Sequence, residues 1–371
     1  MPESGCAACA SALKPARSPR EACMFCTNLT SMLLEAPGWI VRSAFDRTTV
    51  TLLRHRVALG DTLMLTPLAR GLKKARPNWR VAVVTRRPDA LLGNPHVDEV
   101  RGWHLWRTGR TVRAAYRQQD FARLEHVVRI QWQALWNELR VANVTSSEAL
   151  PELDGLHPEL ALAQDERRRA REILDACTPA NRRGRPVVLT ISGGKLLPVH
   201  NREWGLANYQ ALADALAPHA TVIQVGGDAP LQHDGRPLTN LGGRPVRETG
   251  ALFAAADAVL LQEGGLHHLA RAVEAPSVVL FGGAVLPEQT GYDRQVNLSH
   301  RTDCSPCLAG RTNCRHLKCM VALTPRCVAR ALARVLAERG KSIPEEAIAA
   351  APDRWIPPTF VDPSELAKAL G

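Results

Sequence analysis

Two successive series of apolar strands and amphipathic helices constrain this chain more than any other feature. In the first series, Thr48 to Leu53 reads as a strand. Leu65, Leu68 and Leu72 then form one helical stripe that ends on Lys73, Lys74 and Arg76. Apolar positions three and four apart make one face of a helix, and cations suit its last turn. Pro77-Asn78 breaks the pattern, Arg80 to Thr85 reads as the next strand, and His126 to Ile130 is a further strand candidate. The second series starts at Val187 with the strand VVLTIS. It continues as helix Trp204 to Leu216, strand Ala220 to Val225, helix Glu248 to Ala256, strand Ala258 to Leu261, helix Leu266 to Val273 and strand Ser277 to Phe281. Strands that alternate with helices build parallel sheets. The expectation is therefore an α/β protein with two Rossmann-like domains facing across a cleft. The basic linker Asn181 to Pro186 divides them, and the 371 residues suit two domains of ~100–200 residues. The expected bounds are 45–165 and 185–345, flanked by a Cys-rich segment, 1–30, and a tail, 346–371.

Open parallel sheets bind ligands where strand ends meet Gly-rich turns, and three such turns carry polar groups. Leu59-Gly60-Asp61 follows the first strand. Asp61 there serves either as a general base towards a hydroxyl or as a helix N-cap. Ser192-Gly193-Gly194-Lys195 follows VVLTIS, with Asn201-Arg202-Glu203-Trp204 beyond it. Hydroxyl, backbone and cations suit a nucleotide diphosphate, although S-G-G-K lacks phosphate-loop spacing and reads equally as a turn. The third turn is Glu263-Gly264-Gly265-Leu266-His267-His268-Leu269. Free N–H groups at a helix start suit a diphosphate, the acid suits sugar hydroxyls, and His268 could donate to a phosphate oxygen. The two histidines point in different directions, which argues against a shared metal.

These motifs, in this order, resemble glycosyltransferase family 9 enzymes of the heptosyltransferase type. There a strand ends in L-G-D, a helix carries T-P-x-x-R-x-L, matched by Thr66 to Leu72, and a later segment ends in N-P-x-V-D-E, matched by Asn94 to Glu99. Arg202 stands at the lysine of the family's K-x-W, and Glu263 to Leu269 resembles D-[ST]-G-x-x-H-L. The similarity spans roughly residues 48 to 335. The resemblance implies a GT-B fold and inverting transfer without a catalytic metal. The donor, an ADP-heptose-like nucleotide sugar, would bind Ser192, Gly193, Lys195, Arg202, Glu263, Gly264, Gly265 and His268 of the C-terminal half. Asp61 would deprotonate an acceptor held by the N-terminal half, such as a lipopolysaccharide-core-like glycan or a protein. His55 and Arg56 would contact that acceptor or merely solvate the strand end. Two departures stand out: Glu263-Gly264 lengthens the acid and removes a hydroxyl, and Arg202 presents a planar fork in place of lysine. Both leave the donor sugar and base open.

The ten cysteines form two clusters and one outlier, Cys177. With no apolar signal core at the N-terminus, paired C-x-x-C reads as metal binding rather than as disulfides. Cys6, Cys9, Cys23 and Cys26 have zinc-knuckle spacing; Cys304, Cys307, Cys314 and Cys319 lie in one 16-residue stretch suited to structural Zn²⁺ or iron. Reduced, metal-free thiols are the alternative for both. The net charge of +11 belongs wholly to the first third, where 20 Lys or Arg face 9 Asp or Glu up to residue 123, against 27 of each thereafter. That asymmetry suits an anionic partner or simple solubility. Nucleic acid is disfavoured, because aromatics are only 5% and are not interleaved with the cations. With no apolar run near the ~18 residues of a membrane span, the expected location is the cytoplasm, with room for peripheral contact with an inner membrane. A non-catalytic sugar-nucleotide binder and a zinc-containing nucleic-acid-binding protein are the competing readings.

Overall fold

The structure, a computed structural model, describes residues 49–54, 59–75, 77–78, 80–102, 157–193, 200–227, 229–307 and 314–370. The expected strand at 126–130, Lys195, and Cys6, Cys9, Cys23 and Cys26 lie outside these residues.

A three-stranded parallel sheet holds the first series in the order β1 (Thr49–Arg54), β2 (Arg80–Thr85) and β3 (Glu99–Gly102). The helical stripe after β1 forms two helices instead of one, α1 (Leu59–Leu63) and α2 (Thr66–Ala75). Pro67 cannot donate to an i−4 carbonyl, so the pattern breaks at Met64-Leu65 and restarts with Pro67 in a first turn, where proline is tolerated. The second sheet has five parallel strands in the order β10-β9-β8-β4-β5. They are β4 (Val187–Thr190), β5 (Thr221–Gln224), β8 (Ala258–Gln262), β9 (Ser277–Phe281) and β10 (Val296–Ser299). The short hairpin β6 (Gln232–His233) and β7 (Arg236–Pro237) lies between. Strands β5, β8 and β9 are buried along their whole length, as in a sheet covered on both faces.

The covering helices are α3 (Gln164–Cys177), α4 (Leu206–Leu216), α5 (Val246–Ala255), α6 (Gly265–Ala272), the short α7 (Pro287–Thr290) and α8 (Pro325–Ala337). Helix α3 packs on α5 and buries Ala170 and Leu174 in the core. A staple reinforces it. Arg247 on α5 donates to both carboxylate oxygens of Glu166 on α3, at 2.6 and 2.7 Å, and also to the carbonyls of Ala161 and Leu92.

The expected tail is not a tail. Helices α9 (Glu345–Ala350) and α10 (Pro363–Leu370) follow α8, and Ala347, Ile348, Ala351, Trp355 and Val361 are buried with the second sheet. Trp355 Nε1 donates to the Trp204 carbonyl, and Asn208 and Ile356 exchange a reciprocal pair of hydrogen bonds. Leu63, Ala90 and Leu160 belong to the same contiguous core. Among the described residues, no helix is long and apolar enough to cross a membrane.

Candidate functional site

The two best-defined Gly turns meet. Helix α1 packs against α6 at their N-terminal ends. A Cβ on Gly60 would sit 2.4 Å from His268 Cδ2, and one on Gly265 would sit 3.3 Å from Leu59 Cβ and 3.4 Å from the Gly60 nitrogen. Only glycine lets the backbone of one helix approach the other's side chain this closely. Asp61 falls inside α1, in its first turn, rather than before it as an N-cap would. Its side chain lies outside the described residues.

His268 is buried at this junction. Its Nδ1 lies 2.6 Å from the Tyr292 hydroxyl, which is itself 3.2 Å from Met64 Sδ between α1 and α2. The phenol has one proton to donate and an imidazole nitrogen accepts better than a thioether, so the Tyr292 O–H donates to Nδ1 and the ring proton sits on Nε2. Burial, then the neighbouring His267 and Arg202, hold His268 well below the usual histidine range. It is therefore a neutral donor. His267, 4.0 Å away between ring centroids, has a different task. Its Nδ1 accepts from the Gly264 N–H at 3.0 Å, and its Nε2 lies 3.0 Å from the Thr290 carbonyl and must donate to it. Both nitrogens are thus committed, which locks the tautomer and consumes one N–H at the helix start. Gly264 takes φ +151°, a conformation that a side chain rarely adopts. The hydroxyl missing here relative to D-[ST] goes with a backbone that serine or threonine would resist.

The two departures from the family pattern face each other. Arg202 Nη1 lies 3.0 Å from Glu263 Oε2, the carboxylate being buried. A longer acid and a longer cation span a gap that shorter partners would leave open. Arg202 lies in a 3₁₀ turn, residues 200–202, anchored by Trp204, which is fully buried. Trp204 Nε1 donates to the Leu323 carbonyl at 2.6 Å, and its ring meets Tyr209 edge-on. Tyr209 in turn approaches Gln262 at 3.3 Å, and Gln262 donates to Glu203 at 3.3 Å. Burial keeps the Tyr209 phenol protonated, pushing it well above its usual range.

Ser192 is used differently from expectation. Its hydroxyl donates to the Ala229 carbonyl at 2.6 Å and accepts from Gln224 Nε2 at 2.9 Å, which ties Ala229 to the ends of β4 and β5. Gly193, at φ +132°, lies beside Glu203. The β4 end therefore brings Ser192 and Gly193 near the Arg202–Glu263 pair through Glu203 and Gln262.

Cys304, Cys307 and Cys314 are half-buried and Cys319 is buried. Asn201 Nδ2 donates to Cys307 Sγ and the Gly283 N–H to Cys319 Sγ, both at 3.1 Å. Burial, followed by the other three sulfurs, pushes Cys319 up to about 12. Among the described residues, no group of three or more His, Cys, Asp or Glu is arranged to hold a metal ion. Gln262 and Tyr292 escaped the sequence reading, while Glu203 and His267 stood in its motifs without a role. Tyr292 carries no sequence signal, and His267 was visible only as one of an adjacent pair.

The sequence profile of glycosyltransferase family 9 (heptosyltransferase) matches residues 105–318, more than half of the chain. The Leu59-Gly60-Asp61 turn precedes that span. No curated protein matches by sequence. Among solved structures, the chain is similar to a family 9 glycosyl transferase from Veillonella parvula DSM 2008, at 14% identity and a TM-score of 0.55, over 79% of this chain and 98% of that one. It is also similar to the ADP-heptose lipopolysaccharide heptosyltransferase II of E. coli, at 16% identity and a TM-score of 0.54, over 78% of this chain and 99% of that one. At such identities the likeness is one of fold, an α/β architecture with parallel sheets. The profile, which takes in Arg202 and the Glu263 to Leu269 turn, carries the assignment: the chain belongs to glycosyltransferase family 9 and is a glycosyltransferase.

Proposed function

We propose that this enzyme transfers a heptose-like sugar, with inversion, from a nucleotide diphosphate donor to an anionic cell-envelope glycan of the lipopolysaccharide-core kind. In this reading residues 45–165 form an acceptor-binding domain, residues 185–345 a donor-binding domain, and the cleft between them holds the reaction. The observation that carries it is the meeting of α1 and α6, which sets the backbone of Asp61 one residue from the glycine that touches His268. Asp61 takes the acceptor hydroxyl proton as oxygen attacks the anomeric carbon. The bond to the diphosphate breaks on the opposite face. The leaving diphosphate is met by Arg202, by the N–H groups of Gly265 and Leu266 at the α6 start, and by Nε2–H of neutral His268. Glu263, while paired with Arg202, holds that cation in place and remains available to sugar hydroxyls. Gly193 and Lys195 line the nucleotide side, and Ser192 supports them by fixing the adjacent turn.

The similar E. coli protein is by name an ADP-heptose lipopolysaccharide transferase, which supports this donor class. Cys304, Cys307, Cys314 and Cys319 are assigned to a structural metal, Zn²⁺ or iron. Two of their sulfurs already receive N–H hydrogen bonds, as ligating thiolates do. Bound metal would fix Cys307, which accepts from Asn201 beside Arg202, and would take no part in the transfer. A protein acceptor and peripheral contact with an inner membrane fit the basic first third. The test is release of nucleoside diphosphate from a panel of nucleotide heptoses and hexoses with a lipopolysaccharide-core acceptor. Asp61→Asn should lower kcat by about 10²–10⁴-fold while leaving donor-induced thermal stabilisation intact. Turnover at the wild-type rate in that variant would remove Asp61 from the mechanism.

A further inference from the structure

A cavity of about 640 Å³ lies away from the donor turns, between the C-terminal end of α6, the starts of β9 and β10, and the end of α8. Its wall includes Arg271, whose side chain is only 5% exposed. Neither Nε nor Nη1 of that guanidinium has a hydrogen-bond partner; Glu274 is 3.9 Å away and shared with Arg294, and Asp293 acts on the cation only through its charge. Three more wall residues carry buried polar atoms without partners, namely Ser277 Oγ, Gln295 Oε1 and Asn297 Oδ1. The amides cannot be flipped to relieve this. Gln295 Nε2 donates to the His267 carbonyl and Asn297 Nδ2 to the Tyr292 carbonyl, so each oxygen is left as an acceptor. A buried cation and several orphaned polar atoms in one place each cost free energy that a matching ligand would recover. Arg334 and Arg339 add positive charge to the same cavity, partly offset by Glu274, Asp293 and Glu338.

We propose that this cavity binds a small hydroxylated phosphate ester, its phosphate on Arg271 and Ser277 and its hydroxyls on the carbonyl oxygens of Gln295 and Asn297. One wall residue links the cavity to the other side of α6. Arg271 lies 6.0 Å from the Tyr292 ring centroid, and Tyr292 is the partner of His268. The proposal does not depend on which donor the enzyme uses.

The test is calorimetric titration of the full chain with glucose 1-phosphate and, separately, inorganic phosphate, at constant ionic strength and with ADP present in excess to fill a donor site. Saturable binding of the ester, tighter than that of phosphate, is expected. It should be weakened about tenfold or more in Arg271→Gln and unchanged in Arg202→Gln. Should Arg271→Gln fail to fold, Ser277→Asp, which brings a carboxylate to the phosphate, is expected to weaken binding similarly. Binding that ADP abolishes, that tracks Arg202 instead of Arg271, or that does not distinguish the ester from phosphate would overturn the proposal. Failure of ADP itself to bind would count against the donor reading alone.

Discussion

At the scale of single residues, the sharpest constraint is the absence of a side chain at Gly60. An alanine there would place its Cβ 2.4 Å from His268 Cδ2, and the imidazole is held from behind by Tyr292. Overpacking of this kind costs about 1–3 kcal/mol. Gly60→Ala should therefore lower Tm and weaken donor-induced stabilisation together, measured by thermal unfolding with and without ADP. An unchanged Tm would mean that the two helices do not approach so closely. The Leu59-Gly60-Asp61 and Glu263 to Leu269 turns were each legible in sequence, because glycine at a strand end has few other uses. Their contact was not, since nothing local links positions about two hundred residues apart. Arg202 and Glu263 teach the same lesson. Each was visible as a departure from a motif, but only the fold shows them to be partners.

Among the elements, α3 and α5 pack through Ala170 and Leu174 and are reinforced by one cation. Arg247 makes a fork to Glu166 and reaches two carbonyls, with its side chain 18% exposed. Charge-assisted hydrogen bonds contribute about 1.5–3 kcal/mol each when well formed, less with partial exposure. Arg247→Ala should cost about 2–3 kcal/mol, read from urea unfolding midpoints. The pH dependence belongs to the same pair. Hydrogen bonds from Arg247 hold the Glu166 carboxyl below its ordinary 4.5, against the opposing effect of burial. Its stabilising contribution is thus complete above about pH 4.5 and is lost as the pH falls through the lower, folded value. The variant should show a shallower loss of stability in that acid range. The buried strands β4, β5, β8 and β9 were readable as apolar runs. β10 was not, because its residues are half-exposed and include Asn297 and Ser299. The burial of α3 against α5 was not legible either, because it depends on a partner that appears some eighty residues later.

At the scale of the whole molecule, three histidines make stability depend on pH just below neutrality. His157, His267 and His268 all have their protonation disfavoured, in each case chiefly by burial. The unfolded chain, with histidines near 6.5, binds more protons than the native state below that value, so stability rises with pH across this window. Urea midpoints should be level above about pH 7 and should fall progressively below about 6.5, well before the Glu166 range. His268→Gln should flatten part of that slope; a profile level from pH 7 to 5.5 would contradict the neutral, buried state of these rings. The final segment carries a practical consequence for anyone who engineers the protein. Residues 346–370 look expendable, yet Trp355, Ile356 and Pro358 brace the Trp204–Asn208 corner from which the 3₁₀ turn of Arg202 hangs. Shortening the chain to aid crystallisation would strip a strut from beneath Arg202, and whatever that cation binds would be misreported by the trimmed enzyme.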